Sequence, residues 1–194
     1  MLRASLTHPT KIEPAASVAM ISMLLIAGGG LALAASDKYS AKVPGGLSFS
    51  EFRGYEDWQT VAVSQTESAM AVILANPAMI EAYRSGIPEN GKPFPEGSKI
   101  AKVHWTPTQS KESPSPATVP GELQNVDFIV KDSKRFADSG GWGYAAFIYD
   151  PKSDSFSPAT TADSPPQEND AKCGYACHTI VQAKDYIFTA YPKR

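Results

Sequence analysis

Apolar residues along this chain come mostly in short runs or in alternation, a pattern that predicts strands rather than long helices. Residues 58–64, WQTVAVS, are β-branched and partly alternating and predict a strand. Residues 69–75, AMAVILA, form a continuous apolar run suited to a buried strand. Asn76-Pro77 then predicts a helix start, with an N-cap residue followed by proline at the first helical position. That helix carries Met79, Ile80 and Tyr83 and stops at Gly86, with Pro88 just beyond. Residues 99–105, KIAKVHW, predict a strand that places Ile100, Lys102 and His104 on one face, because side chains alternate with period two. Residues 106–122 hold four prolines and predict a loop. VDFIVKD at 126–132 and the aromatic GWGYAAFIYD at 141–150 predict two more strands, with a single helical turn over 133–138 between them. Residues 151–170 are polar and proline-rich and predict a long surface loop, and 172–183 a closing helix. The sum is an α+β fold, mainly a five-strand antiparallel β-sheet with a few packed short helices.

Residues 17–35, SVAMISMLLIAGGGLALAA, stand apart from this pattern. Arg3 and Lys11 precede the run and Ala32-Leu33-Ala34 has the form of a cleavage site, so 1–35 reads as a secretory signal peptide cut near Ala34 or Ala35. The alternative is a membrane anchor over 17–35, which Gly28-Gly29-Gly30 weaken as a stable helix. Export to the periplasm is the expectation, with 36–46 as a linker and 47–194 as one domain. The 194 residues suit a single domain. With 18 basic against 20 acidic residues there is no basic surface for nucleic acid. Two cysteines exclude a framework of several disulfides and an all-cysteine zinc site.

Those two cysteines lie close together in KCGYACHT, as Cys173 and Cys177, with His178 directly after. Covalent haem attachment uses two thiols and an adjacent histidine, normally spaced C-x-x-C-H. Here one residue more separates the thiols, although positions i and i+4 of a helix still share a face. Two other readings stand beside haem. One is a single Cys173–Cys177 disulfide, strained and closing a tiny loop. The other is a metal site, for which two Cys and one His are one ligand short of a closed zinc centre.

The flanking segments FPEGSKIAKVHW (94–105), VDFIVKDSKRFADSGGWGYAAFIYD (126–150) and CGYACHTIVQAKDYIFTAYPKR (173–194) resemble the cytochrome P-460 family, including the beta-type c′ cytochromes. Tyr55–Trp58 and the Asn76-Pro77 helix carry the resemblance more weakly. It implies an antiparallel β-fold holding one covalently attached haem c on a C-terminal helix. His178 would be the iron ligand, Cys173 and Cys177 the thioether tethers, and Lys102 the lysine bonded to the macrocycle. Lys102 lies mid-strand, where a free buried ammonium is costly; its alternative is an outward-facing strand residue. The resemblance further implies oxidation of hydroxylamine at an open iron position, with electrons passed to a cytochrome acceptor. Its alternative is a non-catalytic cytochrome that binds nitric oxide or another diatomic gas. A third reading is a haem-free β-domain with one disulfide. Oxidation calls for a base near the substrate, for which Asp163, Glu168 and Asp170 are candidates. Gas binding calls for an apolar pocket, for which Phe94 is a candidate. Met70, Met79 and His104 are the side chains available to fill the sixth iron position, and a homodimer is allowed for.

Overall fold

The computed structural model of the chain describes residues 37–43, 46–159 and 174–194, all within one compact unit, Ala34–Arg194. Six strands form one antiparallel sheet in simple sequence order: β1 (Gln59–Gln65), β2 (Met70–Ala75), β3 (Lys99–Gln109), β4 (Thr118–Lys131), β5 (Trp142–Asp150) and β6 (Ser155–Pro158). One helix, α1 (Pro77–Arg84), connects β2 to β3. The expected α+β class is what the chain adopts. Asn76 caps α1 as its sequence predicts, its side chain accepting from the Met79 N–H, and Gly86 at φ +89° turns the chain away beyond the helix end.

Alternation sorts each strand onto two cores. On one face Leu74, Ala101, Val103, Val126, Phe128, Val130, Ala145 and Phe147 pack against the N-terminal segment. Phe52 stacks on Phe128 at 4.1 Å between ring centres, and Phe49 meets Phe128 edge-on at 5.0 Å. On the other face Ile73, Ala75, Ile100, Ile129, Trp142 and Tyr144 pack against α1, Phe94 and Ile187. The C-terminal segment therefore lies on the second face.

Four expectations need correction. The stretch 36–46 is not a plain linker: Ala41 and Val43 are buried, Lys42 bridges to Ser48, and the Val43 N–H donates to the Leu47 carbonyl at 2.9 Å. Its apolar residues fold back onto the first core instead of spacing two parts. The proline-rich stretch 106–122 is mostly strand, because β3 runs to Gln109 and β4 starts at Thr118. Pro107 and Pro120 face each other there, beyond Met70 of β2 and Ile148 of β5, so the missing N–H groups interrupt only a two-stranded ribbon. The sheet has six strands rather than five, since Ser155–Pro158 pairs with β5 and Phe156 reaches Phe49 at 4.9 Å. The closing helix is shorter than expected. Residues 174–178 are α-helical, and Thr179–Lys184 tightens into 3-10 turns broken at Val181.

Candidate functional site

A cavity of about 630 Å³ opens between the second sheet face and the C-terminal segment, in the size range of cofactor pockets. Its floor is read directly from the strand register. Ala62, Ile73, Lys102, Asp127 and Ala146 form one row across β1 to β5, and Ile100, Ile129 and Tyr144 form the next. His178, Gly174 and 187–190 close it from the other side. Most of this lining is aliphatic or aromatic, with Lys102, Asp127 and His178 as its ionisable groups.

The local fold fixes His178. Asp185 and Tyr186 both take left-handed backbone conformations, at φ +49° and +64°, and this turn brings the Tyr186 carbonyl to the imidazole. The His178 Nδ1–H donates to that carbonyl at 2.5 Å, which sets the tautomer and leaves the Nε2 lone pair free. Burial holds the imidazole below its ordinary pKa. The Tyr186 carbonyl pulls it back up, and the Lys102 ammonium pushes it down again. A neutral ring with one nitrogen pinned and the other free is the donor that iron requires. The ring sits between Tyr144 at 5.0 Å and Phe188 at 4.8 Å. Gly174 lies flat on Tyr144; a Cβ there would come 2.3 Å from the ring. Burial raises the Tyr144 phenol pKa, so this wall of the cavity is neutral.

The turn is itself anchored to the sheet. Lys131 Nζ donates to Asp185 Oδ1 at 2.8 Å, with both side chains nearly buried. The same ammonium reaches the Gly140 carbonyl at 3.2 Å and lies over the Trp142 ring. The other Asp185 oxygen accepts from the Phe94 N–H at 2.8 Å. Sequence reasoning passed over both residues. The signal for Lys131 and Asp185 is a charged residue at the end of each of two apolar or aromatic runs, FIVK and DYIF.

The structure brings Lys102 and His178 to one cavity, on the strand face that alternation predicts for Lys102. Among the described residues no hydrogen bond or ion pair holds the Lys102 ammonium; Asp127, its cross-strand neighbour, is engaged by His104 and Asn125. Cys177 is exposed on the short helix beside His178. Cys173, Asp163, Glu168 and Asp170 lie outside the described residues, as does the segment 1–35. Among the described residues no helix is long and apolar enough to cross a membrane.

Phe94 is not a pocket residue. It is 2% exposed, packed edge-on against Tyr83 at 5.0 Å and against Trp142 at 6.1 Å in the core on the same sheet face, and it is absent from the cavity lining. Its backbone bond to Asp185 draws it inward. Met79 is wholly buried against α1's neighbours, Met70 sits opposite Trp105, and His104 is tied to Asp127, so none of the three lines the cavity.

A largely apolar cavity on an antiparallel sheet, with a pinned neutral imidazole in its wall and a thiol directly before it in sequence, defines a protein of the c-type haem class. The cytochrome P460 family model matches residues 52–189, and the chain belongs to that family. It is a c-type haem cytochrome whose haem is covalently attached. That membership sets aside the haem-free reading with a lone disulfide. No curated protein matches the chain.

Proposed function

We propose that the protein oxidises hydroxylamine in the cavity between the sheet and the C-terminal segment and passes the electrons to a cytochrome acceptor after export to the periplasm. The observation that carries this reading is the lysine that shares the cavity with His178 and has no partner among the described residues. An unpaired ammonium in an apolar pocket costs several kcal/mol unless it is solvated, paired or consumed. Attachment of Lys102 to the macrocycle removes that cost and distinguishes this chain from a simple electron carrier. His178 Nε2 would hold the iron, and Cys173 and Cys177 would tether the haem. The Tyr186 carbonyl orients the imidazole and makes it a stronger donor. When bound, the haem supplies an open iron position and takes up the electrons removed from the substrate.

The visible spectrum of the holoprotein and of Lys102→Arg tests this reading, together with hydroxylamine turnover on an artificial electron acceptor. A red-shifted ferrous Soret band that disappears in the variant, with turnover in the wild type, is the expected result. An ordinary c-type spectrum in both proteins removes the cross-link. The aliphatic part of the lining, Ile73, Ile100, Ile129 and Ile187, favours a second reading as a nitric oxide binder. Absence of turnover with tight nitric oxide binding would select it.

A further inference from the structure

Gly174 and His178 stand four positions apart on the short helix, so they share one of its faces, and both line the cavity. Tyr144 of β5 meets that face, with its ring centre 5.0 Å from that of His178. A Cβ at position 174 would come 2.3 Å from Tyr144 Cγ, 2.5 Å from Cδ1 and 2.7 Å from Cβ. The Tyr144 Cβ is fixed by its strand, which pairs with Ile129 of β4, so no rotamer change removes all of this contact. The side chain is also buried in the second core, which leaves its ring little room to turn. Position 174 has a meaning in the haem-attachment pattern. Counted back from the histidine, C-x-x-C-H puts its thiols one and four residues before it, which here are Cys177 and Gly174. The conventional place of the first thiol is therefore the glycine pressed onto Tyr144. The cysteine, Cys173, stands one place earlier in the sequence.

We propose that Tyr144 sets the spacing of the haem tethers: it fills the space that a side chain at position 174 needs, excludes C-x-x-C-H and makes the extra residue obligatory. This rests on the reading of Cys173 and Cys177 as the two tethers, and it holds for hydroxylamine oxidation and gas binding alike. Attachment adds each thiol S–H across one haem vinyl group. A C–S bond forms at one vinyl carbon, the thiol hydrogen passes to the other, and the carbon–carbon double bond becomes single. No group leaves, and the addition needs no net oxidant or reductant. A cysteine at 174 would have to lift the helix from Tyr144 by about 1 Å to reach ordinary carbon–carbon contact. That movement would also draw His178 from the Tyr186 carbonyl, which its Nδ1–H meets at 2.5 Å. Tyr144 is thus a positioning residue: the ring that supports the imidazole closes the neighbouring turn to a thiol.

The test moves the thiol. Cys173→Ala with Gly174→Cys restores C-x-x-C-H, and Tyr144→Gly, which removes all three contacting atoms, is made in both spacings. All four chains are matured in one cytochrome-c-assembling host. Iodoacetamide labelling of the denatured haem-bearing chains, read by intact mass, counts the thiols left free. The α band of the alkaline pyridine haemochrome, which moves to the red when a vinyl group stays unreacted, counts the thioethers independently. The wild type should show two thioethers and no free thiol. The respaced chain should show at most one thioether, and adding Tyr144→Gly should return it to two, a recovery that a merely structural role for Tyr144 would not give. Two thioethers in the respaced chain with Tyr144 in place would overturn the proposal and leave the two tethers standing. A free thiol in the haem-bearing wild type would overturn the two-tether reading and the proposal with it. Failure of Tyr144→Gly to restore the second thioether, while it keeps two in the native spacing, would also overturn the role of Tyr144. Where Tyr144→Gly prevents folding in the native spacing, the wild type and the respaced chain decide between them.

Discussion

Replacing Asp185 by Asn isolates one charge in the device that holds His178 in place. Asn tolerates left-handed backbone conformations, so the turn at φ +49° is not itself strained by the change. What is lost is the counter-charge of Lys131, whose side chain is 7% exposed against 11% for Asp185. The ammonium would keep the Gly140 carbonyl at 3.2 Å, the face of Trp142 at 5.0 Å and at most a neutral amide oxygen in place of the carboxylate. Removing one partner of a buried pair costs about 3–5 kcal/mol, most of it the uncompensated charge left behind. At roughly 2–4 °C per kcal/mol for a domain of this size, the melting temperature should fall by about 10 °C. Thermal unfolding of the holoprotein followed by far-ultraviolet circular dichroism measures it. The double variant Lys131→Met, Asp185→Asn removes both charges and should recover most of the loss. A drop below about 1 kcal/mol in Asp185→Asn is what a solvated pair gives, and it would refute the claim that this pair anchors the turn.

Phe94→Ala should destabilise the fold by about 3–5 kcal/mol in denaturant titration while leaving the visible spectrum and nitric oxide affinity unchanged, because Phe94 lies in the core outside the cavity lining; a changed affinity would return it to the pocket. Asn76→Ala should cost about 2 kcal/mol, measured as a shift in denaturation midpoint. It removes an oxygen that accepts from Met79 N–H at 3.2 Å and Lys99 N–H at 3.0 Å, and an amide that donates to the Gly97 carbonyl at 2.8 Å. An unchanged midpoint would mean that water replaces all three.

Local patterns at 58–64, 69–75 and 141–150 predict the strands found at 59–65, 70–75 and 142–150, and also the capped helix at Pro77, because each is decided within its own segment. The errors fall where a segment's neighbours decide. Pro107 and Pro120 read as loop residues, yet they lie in strands because each faces the other where β2 and β5 no longer flank the pair. Ala41 and Val43 look like part of a linker running to Pro44-Gly45-Gly46, but they complete a core formed by Phe128 and Phe147, residues far along the chain. Phe156 does the same for the sixth strand.

The site divides in the same way. Alternation alone puts Lys102 on the cavity face, and the same alternation in VDFIVKD puts Asp127, Ile129 and Lys131 opposite Val126, Phe128 and Val130. A carboxylate between Val126 and Phe128 was the available signal for Asp127. Its pairing with Lys102 belongs to the β3–β4 register, which neither segment carries by itself. What separates Asp127 from Lys131, four residues on and on the same face, is cover. Ile187 packs against the row of Ile100, Ile129 and Tyr144, and Asp185 meets Lys131 beyond it, so that charge is buried and spent on anchoring. The C-terminal segment leaves the row of Lys102 and Asp127 open to the cavity. One strand face thus becomes an anchor at one end and a cavity floor at the other, according to how far the C-terminal segment reaches across it.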